Sequence, residues 1–139
     1  MAYRGKVIFN PYNRQTIEFV TTSKDSRGDK LEMISTWHTG GAKPIPHYHP
    51  NQDEHVSVIE GELSVMINGQ KIILVPGRSL HIPRNAVHST WNESNEPVIA
   101  EWKVSPALQT EYILETMAHM AASNKLMRKA SMAGCEVDN

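Results

Sequence analysis

Apolar residues in the first three quarters of the chain recur mainly at every second position, the period of a strand with one buried face. A short apolar run at residues 6–9 is closed by the turn Asn10-Pro11-Tyr12-Asn13. Thr16 to Thr21 alternates and predicts a strand, whereas Ser23 to Lys30, with Asp25, Gly28 and Asp29, reads as a loop. Leu31 to Trp37 is a strand pattern with Leu31, Met33, Ser35 and Trp37 on one face. A further strand runs from near Glu54 through Val56-Ser57-Val58-Ile59, and Gly61 interrupts it as a bulge or tight turn would. Leu63, Val65 and Ile67 then share a face, and Asn68-Gly69 is a strong hairpin signal that folds Gln70 to Val75 back. Ser79 to Ile82, Val87 to Asn92 and Val98 to Val104 complete the series, separated by Pro83 and by the loop ending at Pro97. Many short strands at regular spacing predict an all-β fold, either a closed barrel or a double-sheet jelly roll.

The period changes at Pro106, a residue suited to the first turn of a helix. From Ala107 to about Lys129 the chain is rich in Leu, Met, Ala and Glu. Leu108, Tyr112, Glu115 and His119 fall on one line; Ile113, Met117, Met120, Asn124 and Met127 fall on another. This predicts one or two amphipathic helices whose Met-rich face covers a barrel end or a partner subunit, followed by a frayed tail. The expected division is a barrel over residues 1–105 and a C-terminal helical segment over 106–139.

The length of 139 residues fits one domain with its own core. A net charge of −1, from 14 basic and 15 acidic residues, gives no argument for a nucleic-acid partner or an anionic membrane. No apolar run approaches the roughly 18 residues of a membrane span, and residues 1–6 lack the apolar core of a secretory signal. The single cysteine, Cys135, permits no disulfide within the chain and reads as an inert tail thiol. A reducing, cytoplasmic setting is the expectation.

Candidate chemistry is concentrated after Gly41. His47 and His49 are two apart, so on a strand both imidazoles leave the same face. Pro50 breaks the run, Asn51-Gln52-Asp53 turns, and Glu54 opens the next strand beside them. Two imidazoles and a carboxylate are first-row transition-metal ligands; a solvated polar loop carrying the same triplet is the plain alternative. His88 is followed at strand spacing by Thr90 and Asn92. If His88 points inward, it supplies a fourth ligand from a different strand, leaving open positions on an octahedral metal.

The spacing Gly-x5-His-x-His-x4-Glu-x6-Gly is met by Gly41, His47, His49, Glu54 and Gly61. Gly77, Pro83, His88 and Asn92 fit a second spacing, Gly-x5-Pro-x-Gly-x2-His-x3-Asn, in which Asn85 replaces a glycine. Asn is the residue other than Gly that best tolerates positive φ. With these two motifs the chain, over roughly residues 16–104, resembles the cupin superfamily, in particular its small single-domain barrel members. The resemblance implies a double-stranded β-helix, or jelly-roll barrel. It also implies that His47, His49, Glu54 and His88 match the family's metal ligands one for one. No thiolate is at hand, so the expected cofactor is a divalent Fe, Mn, Ni, Co or Zn ion rather than Cu(I). The superfamily spans dioxygenases, isomerases, sensors and storage proteins, so fold alone does not fix the reaction.

Other polar residues read more simply. Gln52 is a turn residue; His55 points away from Glu54; His38 and His119 lie on the surface; Tyr48 packs outside the metal layer. His81 is left out of the ligand set, with Leu80 and Ile82 facing inward. Met33, Ser35, Trp37, Met66, Thr90 and Trp102 are the expected cavity walls, and Lys43, Arg78 and Arg84 are solvated loop charges. The functional expectation is a metal-dependent enzyme acting on a small organic molecule, dioxygenase- or isomerase-like, with Glu54 able to leave the metal and act as the catalytic base. The alternatives are a non-catalytic ligand-binding or sensor barrel, and a partner module of a longer protein that uses its helical tail. The apolar helix face and the pairing habit of cupin sheets imply a homodimer.

Overall fold

The computed structural model describes the backbone of residues 1–132 and side chains through residue 124. Cys135 and the end of the tail lie outside the described residues. Among the described residues nine strands and two helices follow in order: β1 Val7–Asn10, β2 Gln15–Thr21, α1 Ser23–Ser26, β3 Leu31–Trp37, β4 Asp53–Glu60, β5 Leu63–Ile67, β6 Gln70–Leu74, β7 Ser79–Ile82, β8 His88–Trp91, β9 Val98–Ser105 and α2 Thr110–Met132. All strand pairs are antiparallel. They form a six-stranded sheet, β1-β2-β3-β9-β4-β7, and a three-stranded sheet, β6-β5-β8. The chain is an all-β jelly roll with a C-terminal helix.

Strict alternation on β3 buries Leu31, Met33, Ser35 and Trp37, the four residues that the period-2 pattern puts on one face. Trp37, Val56, Val58, Val98 and Ala100 of the large sheet meet Leu63, Val65 and Leu74 of the small one. Each fully buried aliphatic side chain of this layer contributes on the order of 1.5–3 kcal/mol. The small sheet is too narrow to cover the other. Over the remainder of the large sheet a second cluster forms from Ile17, Phe19, Leu31, Met33, Val104 and Ala107, against which Leu114 of α2 packs. Helix α2 therefore acts as the missing half-layer.

Asn68 and Gly69 both have positive φ, as a tight two-residue hairpin of twisted strands requires. Asn85, at the motif's glycine position, also has positive φ, 69°. Three expectations need correction. Ser23 to Lys30 is not wholly loop: α1 is a single turn held by a capping box between Thr22 and Asp25. Pro106 does not begin the helix, because β9 runs to Ser105 and α2 starts at Thr110. The Met-rich face does not cover the barrel. Ala118 and Leu114 point inward, while Tyr112, Ile113, Met117 and Met120 are exposed. A half-buried ion pair from Lys6 to Glu115 ties α2 to the segment before β1.

Candidate metal centre

Backbone contacts between the two motif segments assemble the centre. His47 pairs with His88 through N–H to O bonds of 3.0 and 2.8 Å in both directions, adding one residue to the edge of the small sheet. The turn at Asn85 donates its N–H to His49 O at 3.0 Å. Asp53 Oδ1 accepts the Arg84 N–H at 3.0 Å, and the Arg84 guanidinium lies beside it at 3.6 Å. Arg84 is thus a clamp between motifs rather than a free loop charge. At the other end of the segment Ala42 donates to Tyr12 O, and Gly41 presses so closely on Asn13 that a Cβ would lie 2.0 Å from its carbonyl oxygen.

The side chains converge accordingly. The ring centroids of His47, His49 and His88 are 4.6–5.4 Å apart. One nitrogen from each lies within 4.8 Å of the others, so these three histidines are positioned to hold a metal ion. Glu54, 5% exposed, places Oε2 2.7 Å from His88 Nε2 and 3.2 Å from His49 Nε2. His88 Nδ1 lies 2.9 Å from Ala86 O and His47 Nδ1 lies 3.0 Å from Ile45 O. A carbonyl oxygen cannot donate, so both Nδ1 atoms carry the proton and, in the neutral rings, both Nε2 lone pairs face the cluster. Carbonyl-anchored imidazoles of this kind are typical of metal ligation.

The donor set is incomplete without a cation. Oε2 of Glu54 has no donor unless a proton sits on His49 or His88. Burial pushes the Glu54 carboxyl up, but hydrogen bonds from His49 and His88 outweigh it and hold the group well below the usual carboxylate range. Burial lowers His88, and the bond to Glu54 reverses this to a net rise. His47, facing no carboxylate so closely, is held low by partial desolvation of its ring and by the two neighbouring imidazoles. A divalent ion would serve as the shared positive charge in place of the proton, and nitrogen and oxygen donors suit Fe, Mn, Ni, Co or Zn.

Thr90 shares the inward face of β8 with His88, as expected. Trp102 does more than line a wall: its Nε1–H donates to Glu54 Oε1 at 2.8 Å. Met66 is not a wall. It is paired with Ser89 and Lys71, on the face opposite Val65 and Thr90. Met33 and Trp37 are core, and Ser35 is buried under the Gln15 amide at 2.6 Å. Gln52 is not merely a turn residue. It is buried, and its amide reaches Pro106 O, Ala107 O and Thr110 Oγ1. Asn92 holds the β8–β9 loop through Trp37 O and Glu96 O. His55, His81 and His119 are exposed, as is Tyr48, but His38 is half-buried with its Nε2 2.9 Å from Thr16 Oγ1. Lys43 sits over the Trp91 ring at 4.2 Å rather than free in solvent. A concavity of about 650 Å³ lies away from the histidines, between α2 and the β1–β2 turn.

A two-sheet jelly roll with three histidines converging at the sheet edge defines a class of barrel proteins whose imidazoles are placed where they could hold a metal ion. The family model described as the cupin domain matches residues 33–102, just over half of the chain, and the chain belongs to that family. It is 33% identical over 75 residues to quercetin 2,3-dioxygenase of Bacillus subtilis, covering 54% of this chain and 22% of that protein. It is 33% identical over 66 residues to the tetracenomycin polyketide synthase protein TcmJ of Streptomyces glaucescens, covering 48% of this chain and 44% of that one. The chain thus spans less than half the length of these two relatives. Among solved structures it is similar to TT1209 of Thermus thermophilus, with a TM-score of 0.60 and 24% identity over 70% of this chain and 88% of that one. No helix among the described residues is long and apolar enough to cross a membrane.

Proposed function

We propose that the chain is a metal-dependent cupin acting on a small organic molecule, with His47, His49, His88 and Glu54 as the ligands. The observation that carries this reading is the convergence of the His49 and His88 imidazoles on a buried Glu54 oxygen that lacks a neutral donor, with His47 completing the three-histidine cluster. A bound divalent metal would polarise or chelate a carbonyl, enol or carboxylate oxygen. The chain's own residues then have distinct tasks. The three imidazoles fix the cation, and Thr90 lines the wall beside His88. Glu54, kept ionised, would release the cation and then take a proton from the substrate through the freed Oε2. The B. subtilis relative is named a dioxygenase, which favours oxygenase-like over isomerase-like chemistry.

The test is metal analysis of the purified protein after loading with each ion in turn. The expected result is about one ion per chain in the wild type and loss of most of it in His88→Ala. A wild type that binds no ion would overturn the reading. A second reading, a non-catalytic sensor, draws on the concavity beside α2, which lies away from the histidines. Tight binding of a small molecule without turnover under any metal would favour it. The exposed Tyr112, Ile113, Met117 and Met120 support a homodimer, the barrel of residues 1–105 being the metal-binding unit and the helical segment the contact. A cytoplasmic location completes the proposal.

A further inference from the structure

Trp102 links the candidate centre to the rest of the barrel. It lies on the inward face of β9, directly across from Met33 on β3 and Val56 on β4. Its ring packs against both core clusters, at the seam where the small sheet gives way to α2. The ring is partly buried, and packing on both sides restricts its orientation. From that ring, Nε1–H donates to Glu54 Oε1 at 2.8 Å. An indole N–H only donates, so the bond occupies a lone pair on one carboxylate oxygen and none on the other. Oε2 is left pointing at His49 and His88, 3.2 and 2.7 Å from their Nε2 atoms. Among the described residues Trp102 is the one donor to Glu54 that does not itself belong to the histidine cluster.

The terminal torsion of a glutamate is broad, and an unrestrained carboxylate can present one oxygen or both. We propose that Trp102 is a positioning residue of the metal centre: by holding Oε1 it makes Glu54 a one-oxygen ligand and keeps a further coordination position free for a small-molecule donor. A carboxylate bound through both oxygens would close that position. The same bond gives the uncoordinated oxygen a partner when Glu54 shifts to act on a substrate proton. This inference rests on Glu54 being a ligand, so its test must separate failure of the two.

Co(II) is the probe, because its visible absorption reports coordination number. Binding and spectrum are compared for the wild type, Trp102→Phe, Glu54→Ala and the double variant. The Phe variant keeps an aromatic ring in the seam and loses the N–H. Trp102→Phe should weaken Co(II) binding about 10–100-fold, as loss of a ligand-orienting partner does, and should alter the spectrum. In the Glu54→Ala background the same substitution should change affinity less than about twofold, since the cycle isolates the pair. Equal losses in both backgrounds would show a merely structural role and overturn the inference. So would a Phe variant with wild-type affinity and spectrum, while wild-type binding leaves the metal centre standing. A wild type that binds no Co(II) overturns both. If Trp102→Phe does not fold, the wild type labelled with 15N-tryptophan supplies the reading. One of its three indole signals should move on adding Zn(II) and on Glu54→Ala, and three unmoved signals would overturn the inference.

Discussion

A Cβ on Gly41 would lie 2.0 Å from Asn13 O and 2.6 Å from the carbonyl carbon, so any side chain there forces the histidine segment and the β1–β2 turn apart. Gly77, the first glycine of the second motif, differs: its φ is +87° but a Cβ would meet nothing within 4 Å. Gly41→Ala should cost about 1–3 kcal/mol of stability and weaken zinc binding measured by calorimetric titration. Gly77→Ala should cost about 1–2 kcal/mol from the left-handed backbone alone, with zinc affinity intact. Equal zinc affinities in the two variants would refute the link between Gly41 packing and the centre. At this scale much was legible in the sequence. His47 and His49 do converge, although their segment is not the strand that the spacing assumes and His47 makes a single bridge, and Asn85 shows its positive φ by residue type. The role of Trp102 was not. Alternation places it inward, but its partner on another strand depends on the registers Glu54↔Val104 and Val56↔Trp102, which no local pattern encodes.

Helix α2 depends on a residue far from it in sequence. The Gln52 amide donates to Pro106 O, Ala107 O and Thr110 Oγ1, at 2.9, 3.1 and 2.7 Å, where β9 gives way to the helix. Gln52→Ala would leave carbonyls at this junction without that partner, which costs about 1–3 kcal/mol. Amide hydrogen exchange in the first turn of α2 should quicken in that variant, while β5 and β6 stay protected. An unchanged first turn would show that Leu114, Ala118 and the Lys6–Glu115 ion pair hold the helix by themselves. The helix was readable from composition, but its start was not. Pro106 can open a helix by its fixed φ, yet the pairing of Ser105 with Asp53 extends β9 to the residue before it. The Met row, read as covering either a barrel end or a partner subunit, is not the inward face, because Leu114 and the small residue Ala118 take that place.

For the whole molecule, a metal bound only by the folded state raises stability by mass action. Zinc at a hundred times its Kd should add about 2.7 kcal/mol at neutral pH. The pH dependence follows from two opposed shifts. Glu54 is held low in the folded state, so its contribution is present above its ordinary value of 4.5 and is lost as pH falls through the folded value. His88 is raised, so its contribution is full below its ordinary value of 6.5 and is lost as pH rises through the folded value. The metal-free pair therefore stabilises most between 4.5 and 6.5. A metal needs deprotonated imidazoles and acts above that window. Zinc should raise the Tm more at pH 7.5 than at pH 5.5; the reverse order would refute histidine ligation.

The depth of the four side chains has a kinetic consequence. His47 is exposed, His49 is half-exposed, and Glu54 and His88 are buried. On the proposed ligation, an ion arriving from solvent would meet an outer imidazole while it still held most of its water, and would exchange that water for protein donors one step at a time. Capture would then run from rim to floor and release back along the same staircase, with His47 the last hold on the departing ion.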